Sequence, residues 1–384
     1  MLSKIKKIIK NIIGFSKRNI QKLICSFTYN ITPKQEKKII IGVSEIANIL
    51  YNMKSLFNDK CIIVCKNSNV FYKKNHYDID LSRKGKLLKC LYSSYYFGKL
   101  AKNAICFIYL WTDGFLINRE NDFKFLKKKN IPIVYNFLGD DIRSRKLYLD
   151  YCKSINFNTY VEYNQPEYFL SDSYDKEKKQ LAEQADKYGT IIFSHKIDQY
   201  SYIKSNQYFF PPLINNSIFY FNPDKFNNKP LNILHAPSSP VIKGTQIVRS
   251  VIKALQNEGY IFNYIELIDK PHEEVIEELK KSHIVLNQFY AFIPGIFGLE
   301  AMATGNAVLM SAKADQFPYP FNKVWFETDD WQVYKNLKYL LDNPQEIIEY
   351  AKNGYDYIKN NFSNDAIISH LNNIFLQQGI RINL

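Results

Sequence analysis

Apolar and polar positions follow two alternating periods along most of this chain. Short continuous apolar runs bounded by turn residues are separated by stretches whose apolar steps are three and four. The runs Lys38–Val43, Cys61–Cys65, Ala104–Trp111, Pro132–Leu138 and Thr190–Ser194 predict strands. Helices are predicted over 44–57, 120–129, from Ile142 onward, and over 173–187. The strand runs are apolar at successive positions, so both of their faces are buried. That implies a parallel sheet covered by helices on both sides. Pro211-Pro212, Asn215-Asn216 and Asn227–Pro230 read as a linker, and the alternation resumes at Leu231. Strand 231–235, helix 245–258, strand 284–289, a short helix after Gly298 and strand 307–311 follow. Helices over 344–361 and 364–377 end the chain. The expected fold class is α/β: two doubly wound, Rossmann-like domains, 39–222 and 223–343, facing a cleft. Residues 344–384 are expected to pack near the domain junction.

The first 38 residues have a different pattern. Leu2, Ile5, Ile9, Ile12, Ile13, Ile20, Leu23, Ile24 and Phe27 recur at helical spacing, and lysines mostly fill the other face. Gly14 and Asn19 weaken this amphipathic helix and are expected to split it. Of the net charge of +14, nine units lie in residues 1–38, where ten cations face Glu36 alone. The basic character therefore belongs to a tail, which argues against a nucleic-acid-binding core. An anionic membrane surface suits such a helix. A helix packed on its own domain with a solvated basic face is the alternative. No apolar stretch is long enough to span a bilayer, and Lys10 interrupts what a signal peptide keeps continuous. The six cysteines form no Cys-x-x-Cys pair and fit no zinc site, so buried free thiols in a reducing cytosol are expected.

Two loops in the second half carry unusual chemistry. The strand ending at His235 runs through Ala236, Pro237, Ser238, Ser239 and Pro240 into Lys243-Gly244-Thr245, which opens a helix. Free N–H groups at that helix start favour an anion, Gly244 permits close approach, and Lys243 supplies a charge for phosphate. An exposed lysine on an ordinary strand–helix turn is the alternative. The second loop, Pro294–Gly305, is glycine-rich and leads to Glu300 in the first turn of an apolar helix. A buried carboxylate needs donors; ribose hydroxyls or the amides of its own helix start would serve. Asn287 and Gln288 end a strand beside it and are candidates to touch a base or sugar. His235 reads either as a ligand contact or as a satisfied core histidine, and His195, also after a strand, reads as structural. Asp140 and Asp141 precede Ile142. They fit capping of the next helix, or orientation of an acceptor hydroxyl at a cleft mouth. A cation at one helix start and a carboxylate at another suit a ligand with phosphates at one end and a diol at the other, as in a sugar nucleotide.

His235-Ala-Pro-Ser…Lys243-Gly-Thr, then Ile268–Glu273, then Ile284–Gln288, then Gly298-Leu-Glu-Ala-Met-Ala-Thr-Gly305, resembles the nucleotide-sugar domain of GT-B glycosyltransferases. The resemblance is to the family-4-type "group 1" enzymes of bacterial surface polysaccharides. It is weaker over 39–145, where Glu45-Ile46-Ala47-Asn48 and Phe137–Arg143 look like acceptor-domain loops. It implies transfer from a nucleotide-sugar donor to a glycan or lipid-linked acceptor, metal-independent and retaining, without a cofactor. It implies that Lys243 binds the diphosphate and Glu300 the ribose, with Gly244, Thr245, His235, Ser238, Asn287, Gln288 and Gly298 around the donor. A cytoplasmic protein peripheral on the inner membrane face is the matching location. Three positions depart from the family pattern. Ser238 stands for an Arg, Phe292 for a sugar-contacting Glu, and Leu138 for a strand-end His. They keep open an inactive paralogue that binds sugar nucleotide as a partner subunit, and less so an epimerase.

Overall fold

The computed structural model describes all residues except Met1, Ala47, 69–76, 160–166, 196–197, 314–316, 320–321 and 383–384, and for 2–16 the backbone alone. Two parallel sheets organise the chain. The first contains β1 (Lys38–Ser44), β2 (Cys61–Asn67), β3 (Ile79–Asp80), β4 (Ala104–Leu110), β5 (Ile133–Asn136) and β6 (Ile191–Phe193). Its order is β3-β2-β1-β4-β5-β6. The chain reverses direction across this sheet between β1 and β4, a topological switch point.

Successive residues of each strand feed opposite faces. Ile40, Val64, Phe107 and Ile133 pack under α3 (Lys86–Lys102), α4 (Arg119–Lys128) and α6 (Asp172–Tyr188). Ile39, Ile41, Ile63 and Ile108 pack on α2 (Ile49–Phe57) and on the chain's last helix, α12 (Asn364–Gln377). The sequence pattern left α3 and β3 unassigned, because Ser93, Ser94 and Gly98 break up the apolar stripe of α3.

The N-terminal helix α1 (Leu2–Ile31) is continuous, so Gly14 and Asn19 do not divide it as expected. Its second half packs on the domain. Gln21 Nε2 donates to Ser94 Oγ at 2.9 Å, and Tyr29 meets Phe125 edge-on at 5.6 Å. Cys25 and Thr28 lie directly over Gly98. A Cβ there would fall 2.1 Å from Thr28 Oγ1 and 2.2 Å from the Cys25 carbonyl oxygen. Residues 17–31 are thus built into the first domain, the alternative of a helix packed on its own domain.

The second sheet contains β7 (Leu231–His235), β8 (Phe262–Glu266), β9 (Ile284–Leu286), β10 (Ala307–Met310) and β11 (Phe326–Glu327), in the order β11-β10-β9-β7-β8. On one face Ile233, Ile284 and Leu309 pack with α7 (Thr245–Asn257) and α10 (Val333–Asp342). On the other, Leu234, Val285 and Val308 pack with α8 (His272–Lys281) and α9 (Gly295–Ala303). Helix α11 (Pro344–Phe362) joins this second core, and α12 crosses back to the first. Phe375 lies 6.2 Å from Phe193, and His370 Nε2 lies 2.9 Å from the Phe209 carbonyl oxygen. The last helix therefore straps the domains together.

Candidate functional site

The second sheet switches direction between β7 and β9, where a ligand is expected beyond the strand ends. His235 closes that point. Its Nδ1 lies 2.7 Å from the Leu286 carbonyl oxygen and its Nε2 2.9 Å from Thr245 Oγ1. Both ring nitrogens are occupied and the residue is fully buried. His235 therefore does not reach a ligand as expected; it ties β7, β9 and the start of α7 together from behind. Burial lowers its pKa, which keeps it neutral. Thr245 is buried with it.

Lys243 ends the single turn Pro240–Lys243 just before α7. Gly244, at φ 77°, makes the left-handed step between them, which glycine takes without a Cβ penalty. The Lys243 ammonium donates to Gln288 Oε1, and Gln288 Nε2 donates to the Ile293 carbonyl oxygen. Among the described residues no carboxylate pairs with Lys243, and burial alone pulls its pKa down to about 8. A desolvated cation without a counter-ion has an unmet demand for an anion. Ser238 is exposed on the same loop.

Across from it, Asn287 Nδ2 donates to the Pro294 carbonyl oxygen at 2.7 Å, while the buried Asn287 Oδ1 has no partner among the described residues. Gly298 packs on this amide, since a Cβ there would lie 2.4 Å from Asn287 Nδ2. Glu300 is buried in α9, and its Oε1 lies 2.8 Å from His272 Nε2. This hydrogen bond raises the His272 pKa. The sequence pattern included His272 as a spacing marker but missed it as the partner of Glu300.

The first-domain candidates are differently placed. Asp141 is buried and accepts from Leu138 N at 3.0 Å and Gly139 N at 2.8 Å, so it braces the turn after β5. Asp140 takes Arg143 Nη1 at 2.6 Å and Arg145 Nη2 at 2.8 Å. Arg143 continues to Asp198 at 2.5 Å. Neither aspartate caps the following helix. That role falls to Ser144, which accepts from Leu147 N, and α5 (Arg145–Ser154) starts after it. In the other motif, Glu45 caps α2 through Leu50 N and Tyr51 N; Ala47 lies outside the described residues.

Phe292 packs against residues of the first domain. It is buried between the domains, stacked on Phe157 at 4.1 Å and edge-on to Tyr148 of α5 at 5.9 Å. Beside this plug lies a cleft cavity of about 190 Å³. Its walls come from both domains: Asn136, Leu138 and His195 on one side, Pro294, Gly295 and Ile296 on the other. A Cβ on Gly295 would lie 3.9 Å from the Lys243 ammonium, so cavity and cation are neighbours.

Solved structures share this architecture. HepE of Anabaena, in complex with UDP and glucose, matches with a TM-score of 0.57 at 11% identity, covering 89% of this chain and 100% of that one. The chain has the GT-B fold. Sucrose-phosphate synthase of Thermosynechococcus elongatus matches at 0.56, with 11% identity over 89% of this chain and 99% of that one. The N-terminal domain of trehalose-6-phosphate phosphatase of Candida albicans matches at 0.53, with 9% identity over 90% and 100%. No family model and no curated protein sequence matches the chain. At these identities the likeness is one of fold.

Proposed function

We propose that this GT-B protein is a glycosyltransferase that takes its sugar from a nucleotide-sugar donor. The observation that carries the reading is Lys243: a half-buried ammonium without a carboxylate partner among the described residues, two residues before a helix start, at the switch point of its sheet. A diphosphate answers that demand, and the N–H groups opening α7 add to it. The HepE structure holds UDP and glucose, which favours the same ligand class here.

In this reading the Lys243 charge meets the leaving diphosphate, and Gln288 holds the ammonium in place. Glu300 accepts from ribose hydroxyls through lone pairs that His272 leaves free. Asn287 turns Oδ1 toward the donor, and Gly298 and Gly295 allow the backbone to approach it. Stabilising a leaving diphosphate with a preorganised cation is the electrostatic part of the catalysis. Holding the acceptor in the cleft is the positional part. Asp140 and Asp141 shape the first-domain rim of that cleft. Transfer is retaining and needs no metal. The acceptor is a glycan or a lipid-linked glycan, and α1 holds the protein on the inner face of an anionic membrane. Thermal-shift screening of UDP-, GDP-, ADP- and CMP-sugars tests the donor. A ligand at 100 times its dissociation constant adds about 2.7 kcal/mol; no shift with any of them sinks the proposal.

Phe292 favours a second reading, an inactive paralogue acting as a sugar-nucleotide-binding subunit. Its position carries a carboxylate in the resembling enzymes, and here an aromatic ring is buried in the other domain. Donor hydrolysis or transfer above background excludes this reading; binding without turnover supports it.

A further inference from the structure

The cleft cavity between the domains has an unusual balance of groups. Most of its wall is apolar, including Phe137, Leu138, Leu213, Ile293, Ile296 and Leu299. Two polar groups in the same wall lack partners among the described residues. Asn136 is buried at the end of β5, and its Nδ2 makes no hydrogen bond. His195 follows β6, and its buried Nε2 makes none either. The other polar groups in that wall are satisfied: Ser194 Oγ donates to Gln199 Oε1 at 2.8 Å, and Gln199 Nε2 donates to the Phe137 carbonyl oxygen at 3.1 Å.

Unpaired buried polar atoms are costly and need an explanation. Here two such atoms sit on neighbouring strands. Asn136 pairs in register with Phe193, and His195 lies two residues further along, about 6.6 Å of strand rise. The His195 ring is held by Phe209, edge-on at 4.7 Å. Burial lowers its pKa against the opposing pull of Asp198, so the ring is neutral and has one lone pair to offer.

A hexose hydroxyl cluster does not suit this wall, because most of its oxygens would face carbon. The complement is a small group with one acceptor, one N–H donor and a methyl. We propose that the cavity is an acetamido pocket, so that the sugar handled in the cleft is an N-acetylated amino sugar. Its carbonyl oxygen accepts from Asn136 Nδ2, its N–H donates to His195 Nε2, and its methyl lies against Leu138 and Ile296. The proposal deepens the sugar-nucleotide reading by naming the sugar class. Gly295 makes the two sites neighbours, because it lines the cavity and a Cβ on it would lie 3.9 Å from the Lys243 ammonium. His195 is then a specificity residue, contributed by the strand next to the one where the resembling enzymes place a histidine.

The test is saturation-transfer NMR on the full chain with methyl N-acetyl-glucosaminide and methyl N-acetyl-galactosaminide, against methyl glucoside and methyl galactoside. The acetyl methyl should be the most strongly saturated proton, and the plain glycosides should show little transfer. Asn136→Ala should weaken binding about threefold to tenfold, the worth of one neutral hydrogen bond. His195→Gln, which keeps a side-chain acceptor, should retain more of the signal than His195→Phe. Leu138→Trp, which fills the cavity, should abolish the signal in a protein whose melting curve stays cooperative. No acetyl saturation, equal transfer to acetylated and plain glycosides, or a signal unchanged by both Asn136→Ala and Leu138→Trp would overturn the proposal. The donor reading fails separately: it predicts a thermal shift with nucleoside diphosphates, which depends on Lys243 and not on Asn136 or His195.

Discussion

The Phe292 ring lies 4.1 Å from that of Phe157 at 25°, which joins the loop after β9 to the segment after α5 across the domain boundary. Tyr148, Tyr151, Cys152 and Tyr200 complete this small core. It lies next to the cleft, so the same contact fixes the spacing of the two domains and one wall of the site.

Removing that plug should loosen the domains. Phe292→Ala leaves a cavity in a buried aromatic cluster, and such changes cost about 3–5 kcal/mol. Urea unfolding should show the loss, and the two domains should separate into distinct transitions. A single transition with an unchanged midpoint would mean that Phe292 does not couple them.

The phosphate role of Lys243 has a pH signature. Its free-state pKa is about 8, below the ordinary 10.5, because burial penalises the charge. A bound diphosphate restores the charged form. Donor affinity should therefore be flat below about pH 8 and fall by up to about tenfold per pH unit above it. In the ligand-free protein the sign is opposite. The buried charge is a destabilising element below pH 8, and that penalty fades as pH rises toward 10.5. Calorimetric titration between pH 6.5 and 9.5 measures the first effect. Lys243→Ala should weaken binding roughly ten- to hundred-fold, the worth of a charged hydrogen bond, and remove the pH dependence.

Glu300 and His272 test the ribose end. Glu300→Gln should weaken ribonucleotides more than their 2′,3′-dideoxy analogues. Equal losses would mean that the carboxylate serves His272 and the helix alone. The pair also makes a stability signature. The His272 pKa is raised by its bond to Glu300, so the stabilisation is complete below the unfolded value of 6.5 and is lost as pH rises through the folded value.

Much of this was legible in the chain. The apolar runs marked β1, β2 and β4–β6, and the Lys243-Gly244 and Gly298–Glu300 spacings marked two loops that meet at the switch point of the second sheet. Period and turn chemistry are local, so they survive in sequence. What was lost depends on partners distant along the chain. His235 was ambiguous because its fate is set by Leu286 and Thr245. Asp141 read as a helix cap because its true partners, Leu138 N and Gly139 N, precede it in a turn of no obvious pattern. Asn136 gave no signal and His195 read as structural, since only strand pairing brings them into one wall.

Gly98 is a test of how firmly α1 belongs to the first domain. A Cβ at Gly98 would overlap the Cys25 backbone, so the helix must shift bodily and not merely rotate a side chain. Gly98→Ala should lower stability by more than about 1 kcal/mol although alanine favours helix by that amount. A rise in melting temperature would show that the contact is loose.

The last prediction separates the two halves of α1. Gln21, Cys25 and Thr28 face the domain, while Ile20, Leu23, Phe27 and Ile31 are exposed, with Leu23 at 70% and Phe27 at 64%. In the sequence, after a step of seven from Ile20, three- and four-residue spacing resumes through Ile13, Ile9, Ile5 and Leu2. On α3, Leu87 and Leu88 are also exposed. An apolar row that long, flanked by lysines, suits the interface of an anionic bilayer, where each cation near the surface adds about 1 kcal/mol. Removing residues 2–16 should therefore release the protein from anionic liposomes and leave the domain folded. Removing residues 2–31 should also unfold the first domain, because it strips the cover from Phe97 and Gly98. Leu23→Glu with Phe27→Glu should release the full-length chain without unfolding it, since both side chains are exposed. Binding should weaken with salt, whose screening length is about 8 Å at physiological strength. A full-length chain that stays in the supernatant at every lipid composition would make α1 a structural helix alone, and a lipid-linked acceptor would lose its physical support.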